Sequence, residues 1–260
     1  MRPFRRNSSP FDSDLKHYED AKTELISRIS RGEFASKHVT SYCSYCERSI
    51  PTNLAVEHIQ PKKGSYAKPE LQGRWSNFLL ACVNCNSSKG SRGVFFDYFF
   101  FPDRDNTFNA FKYSSDGSIT VNSSNHLAIQ GVAKNTLWLT GLDKTVRNTY
   151  DSEGKIIAQD RISQRAEVWG IAENHLEIYT KNKGNAGIKE LIVSSMLGHG
   201  YFSVWMTVFK DCPEMKNSFI DSISGTRESG CFDQHGDSSF RHSNKDKLSD
   251  SKFKFYSDKI

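Results

Sequence analysis

Apolar positions divide the chain into segments of different period. Leu15, Tyr18, Ala21, Leu25, Ile26 and Ile29 recur at helical spacing across 12–31, with Asp12 or Ser13 to cap the start and Gly32 to end it. An amphipathic helix is predicted there. Leu54-Ala55-Val56 and Ile59 read as a short strand, stopped by Pro61-Lys62-Lys63-Gly64. Trp75 to Cys82 is a second apolar segment, and Asn86 to Lys89 opens a short helix ended by Gly90. The dense run VFFDYFFF (94–101) reads as a core strand or helix in preference to a base-stacking platform. Phe111 and Tyr113, a Ser-Asp-Gly turn, then Ile119 and Val121 predict a β-hairpin over 110–122.

From about residue 127 the period becomes helical. LAIQGVAKNTLWLTGL (127–142) reads as a buried segment or helix. Between Ile156 and Lys183, the positions Ile157, Ile162, Ala166, Trp169, Ile171, Ala172, Leu176 and Tyr179 predict a long amphipathic helix, with the charges of Asp160 to Arg165 on its outer face. The block 186–209 predicts one helix, a Gly-His-Gly break, and another. The Ser-, Asp-, Lys- and Gly-rich tail from 223 to 260 is expected to be loops or a loosely held extension. The resulting plan is α+β. It has a helical segment over 1–40, a Cys-flanked core over 41–110, the hairpin over 111–125, a helical region over 126–222 that can dock a partner, and the tail over 223–260.

Composition narrows the class. The 260 residues are 37% apolar and 25% charged, which fits neither a disordered chain nor a membrane protein. No apolar run approaches the roughly 20 residues that span a bilayer. The opening MRPFRRNSSPFDSD is basic but has no apolar stretch, so no secretory signal is expected and the cytoplasm is the expected address. The formal net charge is +5, and its position is informative. Residues 31–92 hold nine Lys or Arg against four Glu, so the whole surplus lies there and the remainder is neutral. A localised basic patch suits a polyanion such as nucleic acid, with a solvated lysine face as the plainer alternative.

The six cysteines include two Cys-x-x-Cys pairs, Cys43/Cys46 and Cys82/Cys85. In a reducing compartment such pairs are metal ligands before they are disulfides, and four thiolates make a closed tetrahedral zinc site. Cys212 and Cys231 lack partner spacing and read as ordinary half-buried thiols. Between the knuckles stands Glu57-His58, a carboxylate able to bind a divalent ion beside an imidazole able to take a proton near neutral pH. Strict strand alternation sends the two side chains to opposite faces. Both can address one phosphate only if the strand ends or twists there.

The order Cys-x-x-Cys, Glu-His-Ile-x-Pro, Trp-x-Asn-x-Leu-Leu, Cys-x-x-Cys-Asn-x-x-Lys-Gly resembles the HNH endonuclease family over residues 41–92. That resemblance implies a ββα-metal fold with a zinc clamp, and its motif residues fall on His58, Asn77 and Asn86. The acidic residue before the first His is more often Asp in the family, so Glu57 is a departure. By resemblance His58 is the general base, Asn77 orients it through a hydrogen bond, and Glu57 with Asn86 binds a catalytic Mg²⁺ or Mn²⁺. Cys43, Cys46, Cys82 and Cys85 would hold a structural Zn²⁺. Lys62, Lys63, Lys89 and Arg92 are candidates for phosphate contacts with a DNA substrate, a solvated helix end being the alternative for Lys89. The blocks around 160–169 and 200–209 resemble the C-terminal halves of PtuB-like HNH nucleases of Septu and retron defence systems, which implies an ABC-type ATPase (PtuA-like) partner. The competing readings are a stand-alone restriction or mobile-element nuclease and a non-catalytic zinc-stabilised nucleic-acid-binding module. No helix-turn-helix or other base-reading module is recognisable, so weak sequence specificity is expected.

Overall fold

The computed structural model describes residues 1–34, 37–52, 54–144, 149–150, 156–158 and 161–238. The N-terminal helical stretch runs as a 3₁₀ turn at Tyr18–Ala21, α1 (Lys22–Leu25) and a π turn at Ile26–Ser30. Ala21, Leu25 and Ile29 face the core, as their spacing requires. The helix starts later than its caps suggest, because the chain before it is held elsewhere: the Leu15 N–H donates to the Gly73 carbonyl at 2.9 Å. The pair β1 (Arg31–Phe34) and β2 (Lys37–Ser41) follows as an antiparallel hairpin that no alternation in the sequence announced.

The central unit is β3 (Ala55–His58) antiparallel to β4 (Phe78–Ala81), with Ala55 opposite Ala81 and His58 opposite Phe78. It is followed by α2 (Val83–Lys89). The predicted strand, apolar segment and short helix all lie here. Cys82 caps α2 by accepting the Cys85 N–H on sulfur, and Gly90 closes it with φ +54. Arginines outside this unit brace it. Arg6 pairs with Asp103 at 2.9 Å and donates to the Ser76 and Phe78 carbonyls, and Arg104 donates to the same Ser76 carbonyl at 2.9 Å. The Asn77 backbone is thereby gripped on both sides.

Residues 94–101 form a single 3₁₀ turn, Phe96–Tyr98, in place of a strand or helix. Val94, Phe96 and Phe99–Phe101 are buried, while Phe95 and Tyr98 are not. Next come α3 (Thr107–Ala110), the expected hairpin β5 (Phe111–Tyr113) and β6 (Ile119–Val121), then α4 (Leu127–Thr140). The short pair β7 (Thr149–Tyr150) and β8 (Ile156–Ala158) occupies the start of the predicted long helix, so α5 begins at Arg161 and runs to Lys181.

The charges at the start of α5 do not form an outer face. Arg161 and Arg165 are buried, donating to the carbonyls of Gly141, Gly117 and Leu142. These carbonyls follow helix α4 or lie in the β5–β6 turn, so buried guanidinium groups satisfy acceptors that regular structure leaves open. Asp160 lies outside the described residues. α6 (Ala186–His199) and α7 (Phe202–Val208) flank the predicted break, and α8 (Pro213–Asp221), opened by proline, is an additional helix. Of the tail, residues 223–238 pack on the body through buried Ile223, Cys231 and Phe232; residues 239–260 lie outside the described set. The architecture is α+β, with a mainly helical C-terminal region. Its buried apolar side chains form one cluster, from Met1 and Phe4 through β3 and β4 to Trp205 and Phe232.

Candidate active site and cysteine cluster

The four cysteine sulfurs lie within 4.8 Å of one another, and all four residues are buried. Cys46 Sγ and Cys82 Sγ are 3.8 Å apart. A tetrahedron with metal–sulfur bonds of 2.3 Å has an edge of about 3.8 Å, so the spacing suits an ion such as zinc. Backbone donors already face the cluster: Cys82 N–H reaches Cys43 Sγ at 3.3 Å and Cys85 N–H reaches Cys82 Sγ at 3.4 Å. Arg161 adds a positive charge, its Nη1 lying 3.4 Å from Cys85 Sγ. The first knuckle is bolted to the helical region as well. Glu47, at φ +63, accepts from the Ser203 N–H at 2.8 Å and the Ser203 hydroxyl at 2.6 Å.

Beside the cluster, Glu57 and His58 end β3 and both line one cleft of about 370 Å³. The strand stops at His58, so alternation does not separate the two residues across a continuing sheet. Asn86 lines the same cleft from α2, with Pro61, Lys62 and Lys63 from the loop after β3. A further wall comes from Tyr18, Glu19 and Lys22 of the N-terminal helical stretch. The sequence announces that stretch only as an amphipathic helix. Its one readable signal was the placement of polar and charged residues beside an apolar stripe.

The His58 ring is held on three sides. Its Nε2 lies 2.9 Å from the Gln72 carbonyl oxygen, and Tyr18 and Phe78 pack against it edge-on at 4.7 and 5.3 Å. A carbonyl only accepts, so Nε2 carries the proton and Nδ1 keeps the lone pair. Burial pushes the imidazole pKa down, with Lys62 and Lys89 adding to the effect and the Gln72 carbonyl opposing it. The neutral ring is therefore favoured.

Asn77 does not bond to His58. Its side chain accepts the Gln60 N–H at 2.7 Å and donates to the Gln60 and Leu71 carbonyls at 3.1 and 3.2 Å. It fixes the loop leaving β3 and the residue before Gln72, so its influence on the ring passes through the Gln72 carbonyl.

Lys89 is also not where the motif reading put it. It is 1% exposed, with Nζ 2.8 Å from Glu57 Oε1 and 2.7 Å from the His58 carbonyl, so it neither meets phosphate nor forms a solvated helix end. Glu57 is 4% exposed, and burial pushes its carboxyl pKa up against the opposing pull of Lys89. Arg92 lies over the Trp138 ring at 4.7 Å and donates to Ser88 and Leu139 carbonyls. Lys62 stands 3.6 Å above the Tyr18 ring at the cleft wall.

The site has an uncommitted oxygen donor. The Asn86 side-chain amide makes no hydrogen bond to another described residue, and Glu57 lines the same cleft. Such a donor set fits a hard divalent cation of the Mg²⁺ or Mn²⁺ kind.

A family model described as HNH endonuclease matches residues 43–92, the stretch that contains both knuckles, β3, β4 and α2. Residues 43–92 are an HNH endonuclease domain. This domain carries the four-cysteine cluster and most of the cleft, while the N-terminal segment supplies the remaining wall. The chain is also 26% identical over 110 residues to a protein of Vibrio cholerae serotype O1 biovar El Tor assigned as the HNH endonuclease of retron Vc95. That match covers 39% of this chain and 52% of the relative, so the chain spans about half the length of the curated relative it matches. Among the described residues, no helix is long and apolar enough to cross a membrane.

Proposed function

We propose that the chain is a metal-dependent HNH endonuclease that hydrolyses DNA phosphodiester bonds in the cytoplasm. The observation that carries this reading is the His58 ring, neutral by its surroundings and held at Nε2 by Gln72, in one cleft with Glu57 and Asn86. His58 takes the proton of the attacking water at Nδ1. Asn77 is a positioning residue that keeps the Leu71–Gln72 segment, and so the ring, in place. Glu57 and Asn86 hold the catalytic Mg²⁺ or Mn²⁺, which when bound supplies charge stabilisation at the scissile phosphate and the leaving oxygen. Lys62 and Lys63 attract the phosphate backbone at the mouth of the cleft. Cys43, Cys46, Cys82 and Cys85 hold a structural Zn²⁺ that ties the two ends of the domain together.

The retron relative supports a place in anti-phage defence. In that setting the helical region docks a PtuA-like ABC-type ATPase, which controls when the nuclease acts. The test is cleavage of plasmid DNA with Mg²⁺ or Mn²⁺, with and without a PtuA-like ATPase. Wild type is expected to cut and His58→Ala not to. Equal cutting by the variant would remove His58 from the chemistry, and cutting unaffected by the ATPase would remove the control step.

A further inference from the structure

Four aromatic side chains stand in solvent on one side of the domain. Tyr66 is 56% exposed, Phe95 57%, Tyr98 61% and Trp138 54%. They are the only aromatic members among the large apolar residues left exposed in the described chain. Leaving four such rings wet forgoes the burial of large apolar side chains, so they call for an explanation that an isolated exposed leucine does not.

The rings are gathered along one short segment. The Arg92 guanidinium lies 4.7 Å from the Trp138 ring. At the next residue, a Cβ on Gly93 would come within 2.8 Å of Tyr66. Tyr66 and Phe95 meet edge to face at 6.3 Å. Phe95 precedes the 3₁₀ turn that Tyr98 ends, and the Tyr98 N–H donates to the Phe95 carbonyl at 2.9 Å. Asn135 of α4 donates to the Tyr98 carbonyl at 3.2 Å, which ties the turn to the helix bearing Trp138. The platform continues from the cleft. Gly64, after the cleft-lining Lys62 and Lys63, packs against Ser91, and Ser91 itself lines the cleft.

We infer that Tyr66, Phe95, Tyr98 and Trp138 form a stacking platform for unpaired bases of a single-stranded nucleic acid whose backbone enters the cleft. This rests on the nuclease reading and sharpens its substrate. Rings interleaved with cations are the recurring means of holding single strands, because each base has a face to stack and each phosphate needs a positive charge. In a duplex those faces are already stacked. Arg92, Lys62 and Lys63 supply the charge on the side toward the cleft. The alternative occupant, a partner protein, gives no reason for the platform to run into the cleft.

The experiment uses the His58→Ala full chain, so that binding is read without cleavage. Fluorescence anisotropy measures its affinity for a labelled oligothymidylate and for a duplex of equal length, alone and with Phe95→Ala, Tyr98→Ala or Trp138→Ala added. Base–aromatic stacking of about 1–3 kcal/mol predicts a loss of about 5- to 150-fold in single-strand affinity per ring, with duplex affinity unchanged. Circular dichroism shows that each surface variant is folded. Equal affinity of the parent for single strand and duplex, or single-strand affinity untouched by all three replacements, overturns the platform and leaves a protein partner as its occupant. A wild type that binds single strands through these rings yet never cuts sinks the nuclease reading alone.

Discussion

Lys89 reaches Glu57 Oε1 at 2.8 Å and the His58 carbonyl at 2.7 Å from inside the domain, so one buried ammonium holds both residues at the end of β3. Neither partner is replaceable alone. Lys89→Met leaves a buried carboxylate without its cation, which costs about 3–5 kcal/mol, and Glu57→Gln leaves the ammonium without its anion. The double variant is expected to recover a large part of either loss. Denaturant unfolding of the four proteins decides it. Single variants within about 1 kcal/mol of wild type would mean that the pair does not brace the strand.

Asn77 is tied to Gln60 twice and to Leu71 once, while the ring it was expected to touch is held by Gln72. Asn77→Ala should therefore reduce turnover by misplacing His58, on the order of 10²-fold for a shift near 1 Å, with a smaller change in KM. Gln72→Ala keeps the same backbone carbonyl and should leave turnover within a few-fold of wild type. An Asn77 variant as active as the parent, with its fold intact, would sink this relay.

How much of this was legible follows from the range of each interaction. The β3–β4–α2 unit and the cysteine cluster were readable because motif spacing and local period fix them within about fifty residues. The break between α6 and α7 was readable from Gly198-His199-Gly200. The β1–β2 hairpin was not, since it lacks alternation. Lys89 and Arg161 were misjudged for a common reason: a charged residue at a helix end looks solvated until a distant acceptor is known. For Lys89 that partner is Glu57, and for Arg161 it is Cys85 with Gly141. Likewise Arg6 carries no signal of its own, and only the fold brings it to Ser76 and Asp103.

The cysteine cluster should hold one zinc per chain by elemental analysis, and losing it should be coupled to unfolding because structural zinc contributes folding energy directly. A strong chelator is expected to remove the metal and the folded state together. Arg161→Met should release zinc faster into a metallochromic dye than wild type does, because the guanidinium beside Cys85 offsets the negative charge of the thiolates. Metal-free protein with an unchanged Tm would exclude a structural role for the ion.

Two glycines separated by one residue should respond in opposite directions. Gly200 sits at φ +75, and a Cβ there would lie 2.6 Å from the Glu47 carbonyl oxygen and 2.6 Å from the Ser49 nitrogen, both backbone atoms. It is where the break between α6 and α7 lies against the first cysteine knuckle, bridging to Arg48. Gly200→Ala should cost about 1–3 kcal/mol from backbone strain, with the clash adding to it. Gly198 is exposed near the end of α6, and a Cβ there would meet nothing within 4 Å, so Gly198→Ala should stabilise by up to about 1 kcal/mol through helix propensity. Thermal unfolding of the two variants reads the contrast. If Gly200→Ala matches wild type, the knuckle is not seated on the helical region as closely as these distances require, and a partner docking on the helices would have no rigid path to the cleft.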